Sequence, residues 1–430
     1  MRRDLSTDVG AALDASIARN TEAAFSLLER LVAAPSVVGT EQSAEEVLAA
    51  ELEELGFAIE RPRVPANIVD VPGAGVPSHS YEGRYNLVAR LPRPSGGPSL
   101  LLNGHIDVVP ASEPGLWTTH PFRPARRDGW LYGRGAGDMK CGFAMGALAV
   151  RSLLEVDPDA IAGPLTMLAA IEEECTGNGT LAAAADGVLA DAVVLLEPTE
   201  LELLLGGVGV LWLEVTVTGR PAHASVAGSG VNAIEAALPL LAALRDFERV
   251  LNETESDARL GHDSRPFALN IGRFSGGDWA SSVPAVARFE VRVGFPREWT
   301  PSEAEARVRA CIDEAAAKDS WLAGCPPLVR SSGFRADGYD LPPEAPLARA
   351  MAKAHRAAHG TDPIASSLGS TTDARTYLNR FDTPAICYGP RTTRIHGIDE
   401  GVELASIVDG ARTLARFLVD WYRQPDWADG

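Results

Sequence analysis

Cysteine is scarce in this chain: five in 430 residues, Cys141, Cys175, Cys311, Cys325 and Cys387, with no C-x-x-C spacing among them. An odd number without paired spacing argues against a cysteine-held structural zinc site and fits a reducing compartment. Any bound metal is then left to histidine and carboxylate. Positive charge is also in short supply. Lys and Arg number 39 against 58 Asp and Glu, and the net charge of -19 would repel nucleic acid and anionic membranes. No apolar run reaches the length of a membrane span, and Asp4, Asp8 and Asp14 interrupt the place of a secretory apolar stretch. A cytoplasmic protein is expected, with no nucleic-acid or membrane partner. Internal repeats and low-complexity tracts are absent too.

What is present is an ordinary globular composition, 46% hydrophobic, at a length better served by two cores than by one. Apolar positions recur at helical spacing from about Ser6 to Val32 and again from Thr40 to Leu55. Beyond a Pro/Gly/Ser-rich loop, short apolar strands are expected in YNLVARL, LLNGHIDVVP, PLTMLAAI and AVVLLEP, with helices at Phe143 to Leu154 and Thr180 to Ala185. Near-continuous apolar strands alternating with helices predict an α/β unit, a mainly parallel sheet with helices on both faces. The segment Ala111 to Lys140 is expected to be a long irregular, functional loop.

After Glu200 the pattern changes. LWLEVTVTG, FALNIGRF and ARFEVRVGF alternate like half-buried strands, and helices are expected at Gly230 to Leu244 and Pro301 to Lys318. That β-α-β-β-α order is most of a ferredoxin-like α+β unit. It is expected as an inserted domain over 207–330, between the two pieces of the first domain, 1–206 and 331–430. The second piece would carry a helix at Leu347 to Ala358, the strand TPAICYG and a last helix from Glu403 to Tyr422.

Residues suited to chemistry gather at strand ends. LLNGHIDVVP delivers His105 and, two positions on, Asp107, which can point the same way and fix the tautomer of a metal-bound imidazole. Asp138 lies in the glycine-rich GRGAGDMKCG, which lacks the phosphate-binding order G-x-x-x-x-G-K-[ST]. Glu172, Glu173 and Glu174 follow one apolar strand, where a cation would relieve their repulsion; Glu197 follows another, and His396 sits in RIHGIDE. Two histidines and three carboxylates without cysteine suit a pair of zinc ions sharing a bridging carboxylate, with one spare carboxylate as general base.

GHIDVVP, LYGRGAGDMK, EEECTGNGT, EPT, GRPAHAS with GVNAIEA, STTDAR and IHGIDE occur in this order. In that order the chain resembles the metal-dependent aminoacylase and carboxypeptidase family that includes acetylornithine deacetylase, succinyl-diaminopimelate desuccinylase and glutamate carboxypeptidase. The resemblance implies a zinc-peptidase-like fold with a lid and dimerisation domain. It implies two Zn2+ per subunit, with Co2+ or Mn2+ as possible substitutes: His105 and Glu197 on one, Glu174 and His396 on the other, Asp138 between them. Asp107 would orient His105, and Glu173 would be the base when Glu172 is aligned with the family's Asp-Glu-Glu. His223 would reach a partner subunit's site in a homodimer, and Arg375 and Arg292 would meet the substrate carboxylate. The chain departs from the family at Ser281, where relatives carry Asn, and at Cys141, where Gly is common.

The activity so implied is removal of an acyl group from an N-acyl amino acid, a small amide bearing a carboxylate, by metal-activated water. A di-zinc dipeptidase or carboxypeptidase, and a non-catalytic metal-binding descendant, are the alternatives.

Overall fold

A computed structural model describes residues 7–93, 96–260 and 265–423. Ser6 and Asp4, with the chain ends included in the expected domain ranges, lie outside the described residues.

Four strands form the parallel heart of the large sheet, in the order Leu165–Ala170, Leu100–His105, Ala192–Leu195 and Ala385–Cys387. Antiparallel strands flank them: Leu87–Leu91 and Ala58–Glu60 on one side, Leu203–Gly207 and Tyr339–Asp340 on the other, with Ala365–Leu368 parallel to Leu203–Gly207. The central strands are buried along their length and largely apolar because both faces are covered. Leu100 and Leu102 pack into the cluster made with helices Thr7–Ala33, Lys140–Val156, Pro346–His359 and Leu404–Arg423. Leu101, between them, faces the opposite cluster with Ala183 and Tyr377 from helices Asn178–Ala185 and Ala374–Arg380.

The second sheet is wholly antiparallel, ordered Leu269–Gly276, Val286–Phe295, Gly209–Thr218 and Leu328–Ala336. Helices Ala233–Thr254 and Pro301–Lys318 cover one face, where Leu211, Leu213, Phe289 and Val291 form a core with Leu240 and Ile312. A capping box between Thr300 and Glu303, with Pro301 at the first turn, starts the second helix where the sequence placed it. The last strand completes the β-α-β-β-α-β order and runs past the boundary expected at 330, to Ala336. Its register shifts between Ser332 and Arg335, which erases the alternation that would have revealed it.

The segment Ala111 to Lys140 is more ordered than expected. Ala125–Arg127 and Trp130–Tyr132 form a hairpin that pairs with Gly401–Glu403, itself paired with Thr392–Thr393. Strands of two or three residues are too short to show a period. Their pairing ties the Asp138 loop to the segment that carries His396.

On the Pro346–His359 helix, the His355 and His359 rings lie 4.5 Å apart between centroids, tilted by 54°, and His355 Nδ1 lies 2.8 Å from the Tyr388 hydroxyl. Burial, with the neighbouring His359 and Arg391, lowers the pKa of His355 from 6.5 to about 4. The unfolded chain therefore takes up this proton first, so its contribution to stability is full above 6.5 and drains away as pH falls towards about 4. This group's share of the melting temperature should accordingly drop between about pH 7 and about pH 5. His355→Gln should make that drop shallower, as thermal denaturation of the two proteins side by side would read.

Candidate metal centre

Parallel strands end along one edge, and that edge collects the reactive side chains. His105 closes the Leu100–His105 strand and pairs with Ala170, so Glu172 to Glu174 emerge one step beyond on the neighbour. Glu197 emerges in the same way beyond Leu195, which pairs with Asn103. Asp138 lies one residue before Met139, the N-cap of the Lys140–Val156 helix. That helix comes in close because Gly142 has no side chain: a Cβ there would stand 1.9 Å from the Leu196 carbonyl oxygen. His396, at φ +61°, turns in between the short strands Thr392–Thr393 and Gly401–Glu403.

The Asp138 carboxylate lies between the two imidazoles. Its Oδ1 is 3.1 Å from His105 Nε2 and its Oδ2 is 3.3 Å from His396 Nε2. His396 Nε2 is 2.9 Å from Glu174 Oε2, while His105 Nε2 lies 3.8 Å from Glu197 and 3.9 Å from Glu173. One ligand atom each from His105, Asp138 and Glu174 fall within 4.8 Å of one another. Asp138, Glu173, Glu174, Glu197 and His396 all line a cavity of about 640 Å³.

Electrostatics bear on what the set could hold. Burial raises Glu197 to about 8, with Asp138 and Asp373 adding repulsion, and burial likewise pushes Glu173 well up. The Glu174 carboxylate draws His396 up to about 11. Buried carboxylates this close are relieved by positive charge among them, and a donor set of imidazole nitrogen and carboxylate oxygen without thiolate fits zinc, cobalt or manganese. His105 Nδ1 is 2.9 Å from the Asp107 carbonyl oxygen. A carbonyl only accepts, so Nδ1 carries a proton, and Nε2, which faces the carboxylates, is the nitrogen that would meet a cation.

Asp107 meets His105 through its backbone carbonyl and not through its carboxylate. Its carboxylate is 3.8 Å from His105 Nδ1 and instead accepts from the Glu173 and Glu174 amides, each at 3.2 Å. Glu172 turns away from the cavity at φ +62° and accepts from Tyr81 at 2.6 Å and Arg84 at 2.5 Å. Arg84 is shared with Glu41. The triplet thus divides, with one side chain facing inward to a clamp and two facing the cavity.

The remaining expected residues separate. Arg292 lines the cavity, its guanidinium donating to the carbonyls of Ala268 and Gly369 at 2.9 and 3.0 Å. His223 is exposed, caps the turn after it, and is not among the lining residues. Arg375, expected near a substrate carboxylate, is buried behind the lining, where it donates to Thr372 O at 2.8 Å and Thr176 O at 3.2 Å. Its neighbour Asp373 is 3.5 Å away.

Two supporting residues escaped sequence reasoning. Buried Glu400 accepts from the Gly137 and Asp138 amides at 2.9 and 3.0 Å and pairs with buried Arg134, which also donates to the His396 and Gly397 carbonyls at 3.2 Å. One ion pair therefore holds both the Asp138 loop and the His396 turn. Both residues sit inside the motifs IHGIDE and GRGAGD, but no spacing rule links them across the chain. Glu400→Ala should cost about 3–5 kcal/mol of stability, because it strands a buried guanidinium. Chemical denaturation would measure it.

Residues 101–420 match the model of peptidase family M20/M25/M40. A succinyl-diaminopimelate desuccinylase of Methylobacterium radiotolerans is 32% identical over 397 residues, 90% of this chain and 93% of that protein. An acetylornithine deacetylase of Photorhabdus laumondii is 33% identical over 268 residues, 60% of this chain and 64% of that protein. Among solved structures, the di-peptidase Dug1p of Saccharomyces cerevisiae superposes with a TM-score of 0.80 at 16% identity, covering 97% of this chain and 99% of that one.

Proposed function

The chain belongs to peptidase family M20/M25/M40, and from that premise we propose that it removes the acyl group of an N-acyl amino acid at a pair of zinc ions. Hydrolysis of an amide bond by a metal-dependent enzyme is the family's chemistry; the metal, its count and the residue roles are our reading. His105 and Glu197 would hold one ion, Glu174 and His396 the other, and Asp138 both. The observation that carries this is the Asp138 carboxylate, which turns one oxygen to each histidine, at 3.1 and 3.3 Å, with Glu173 3.9 Å from His105. When bound, the two ions act as Lewis acids towards water and the scissile carbonyl.

The chain's own residues do the rest. Glu173 lines the cavity, and its buried carboxyl has a raised pKa. Such a group can take a proton from water and later release it to the leaving amine. The Asp107 carboxylate fixes the amides of Glu173 and Glu174, so base and ligand keep their mutual position. Arg292, whose guanidinium meets carbonyls and no carboxylate among the described residues, is the candidate anchor for the substrate carboxylate. Water leaves the cavity as substrate fills it, which strengthens each of these interactions.

A homodimer and a cytoplasmic setting complete the reading. His223 stands exposed on the antiparallel-sheet unit, and the edge strand Leu269–Gly276 is largely exposed. An open edge and an outward histidine suit a second copy docking there and lending His223 to its partner's oxyanion. The five cysteines are free, and among the described residues no helix is long and apolar enough to cross a membrane.

Amine release from N-acetyl, N-succinyl and N-formyl amino acids, set beside unblocked dipeptides, tests the proposal. Zinc-loaded protein should turn over acyl amino acids and lose that turnover to a chelator; turnover of dipeptides alone would move it to the peptidase alternative. Glu173→Gln should keep its zinc, by metal analysis, while kcat falls about 100-fold or more. Near-normal turnover in that variant would reject Glu173 as base.

A further inference from the structure

The cavity is bounded on one side by the reactive carboxylates and on the other by the open face of the antiparallel sheet. Leu211 and Leu213 point into the helix-covered core, so Trp212 between them projects from the opposite face. Its cross-strand neighbours are Arg292 and Ser332. The Trp212 ring meets Phe334 edge-on, with centroids 5.5 Å apart and planes at 86°.

This aromatic pair is deliberately supported. Phe334 leaves the sheet at the register shift of its strand, beside Gly333 at φ +49°, where a Cβ would fall 2.2 Å from the Trp212 ring. Only glycine allows that approach. Gly333 N and O both pair with Val76 across the cleft, at 2.9 and 2.8 Å. Behind Phe334 stands Arg375, its guanidinium 5.1 Å from the ring centroid. Trp212 Nε1 is buried with no acceptor among the described residues, so packing alone sets the ring. Val210, Leu204 and Leu368 extend the wall, and Arg292 stands beside it. The acid on this wall, Glu290, is engaged with Arg273 at 2.9 Å.

Trp212, half-buried at the cavity wall with Phe334 packed in the core behind it, offers a braced aromatic surface to a third ring or a bulky apolar group. It offers little to a flexible chain ending in an ammonium, which it would desolvate without a free partner. We propose that the substrate is an aromatic or bulky apolar N-acyl amino acid, with Trp212 and Phe334 as the residues that select it over succinyl-diaminopimelate or acetylornithine. The inference rests on the amide hydrolysis proposed above for the same site, and it gives Arg375 a positioning role behind Phe334.

Two readouts separate the claims. By calorimetry, without turnover, the protein should bind 3-phenylpropanoate about tenfold more tightly than butanoate, a margin of the size a ring contact supplies. In turnover, kcat/KM should favour N-acetylphenylalanine over N-acetylalanine and over acetylornithine. Trp212→Leu and, as an independent variant, Phe334→Leu should each lower both aromatic preferences severalfold, with folding checked by thermal melting. Equal binding of the two probes by the wild type, or preferences unmoved in both variants, overturns the inference. A binding preference that holds while every amide stays uncleaved supports the aromatic wall and rejects the hydrolase reading.

Discussion

Crowding buried carboxylates at one sheet edge is the constraint on which this molecule is arranged. Asp138, Glu173, Glu174 and Glu197 converge where water cannot screen them, and burial, with repulsion from the neighbouring carboxylates, raises Glu173 and Glu197. His105 and His396 supply the imidazoles among them, and Asp138 joins the pair by turning an oxygen to each. His396 and Glu174, 222 residues apart in the chain, meet only because the last third of the fold brings one to the other. The chemistry therefore depends on long-range closure of the fold.

That closure is held from several directions. Glu400 and Arg134 lock the Asp138 loop to the His396 turn, Asp107 fixes the two amides of the acidic triplet, and Arg84 with Tyr81 restrains Glu172 behind them. A buried ion pair such as Arg134 with Glu400 is a poor source of net stability, since desolvation consumes much of its Coulomb energy. Its value lies in direction: Arg134 reaches the His396 turn while Glu400 reaches back to the Asp138 loop. Left-handed backbone at Glu172 and His396 is tolerated because these contacts over-determine it.

The two sheets divide the work. The parallel sheet ends its strands together and so gathers reactive groups, as open α/β sheets do. The antiparallel sheet buries one face under helices and leaves the other free to shape a cavity, which is how Trp212 and Arg292 come to line it. Gly333 and the irregular strand around it show the same economy, trading regular pairing for a ring placed against the cleft.

Much of this was legible in the residues. Continuous apolar runs announced the parallel strands, alternation announced the first three antiparallel ones, and the positions of His105, Glu172 to Glu174 and Glu197 after apolar runs placed them at strand ends. Order of motifs pointed to the family. Local pattern cannot report a bulged strand such as Leu328–Ala336, a hairpin of three-residue strands, or which way Glu172 faces between its neighbours, because each is settled by partners distant in sequence. The same holds for Arg375, an arginine beside an acid in the sequence and a brace under Phe334 in the fold. The sequence by itself determined which groups are available and on which kind of element. Only tertiary structure decided their distances, their second partners and the shape of the space between them, because burial and Coulomb energy depend on contacts that no short stretch contains.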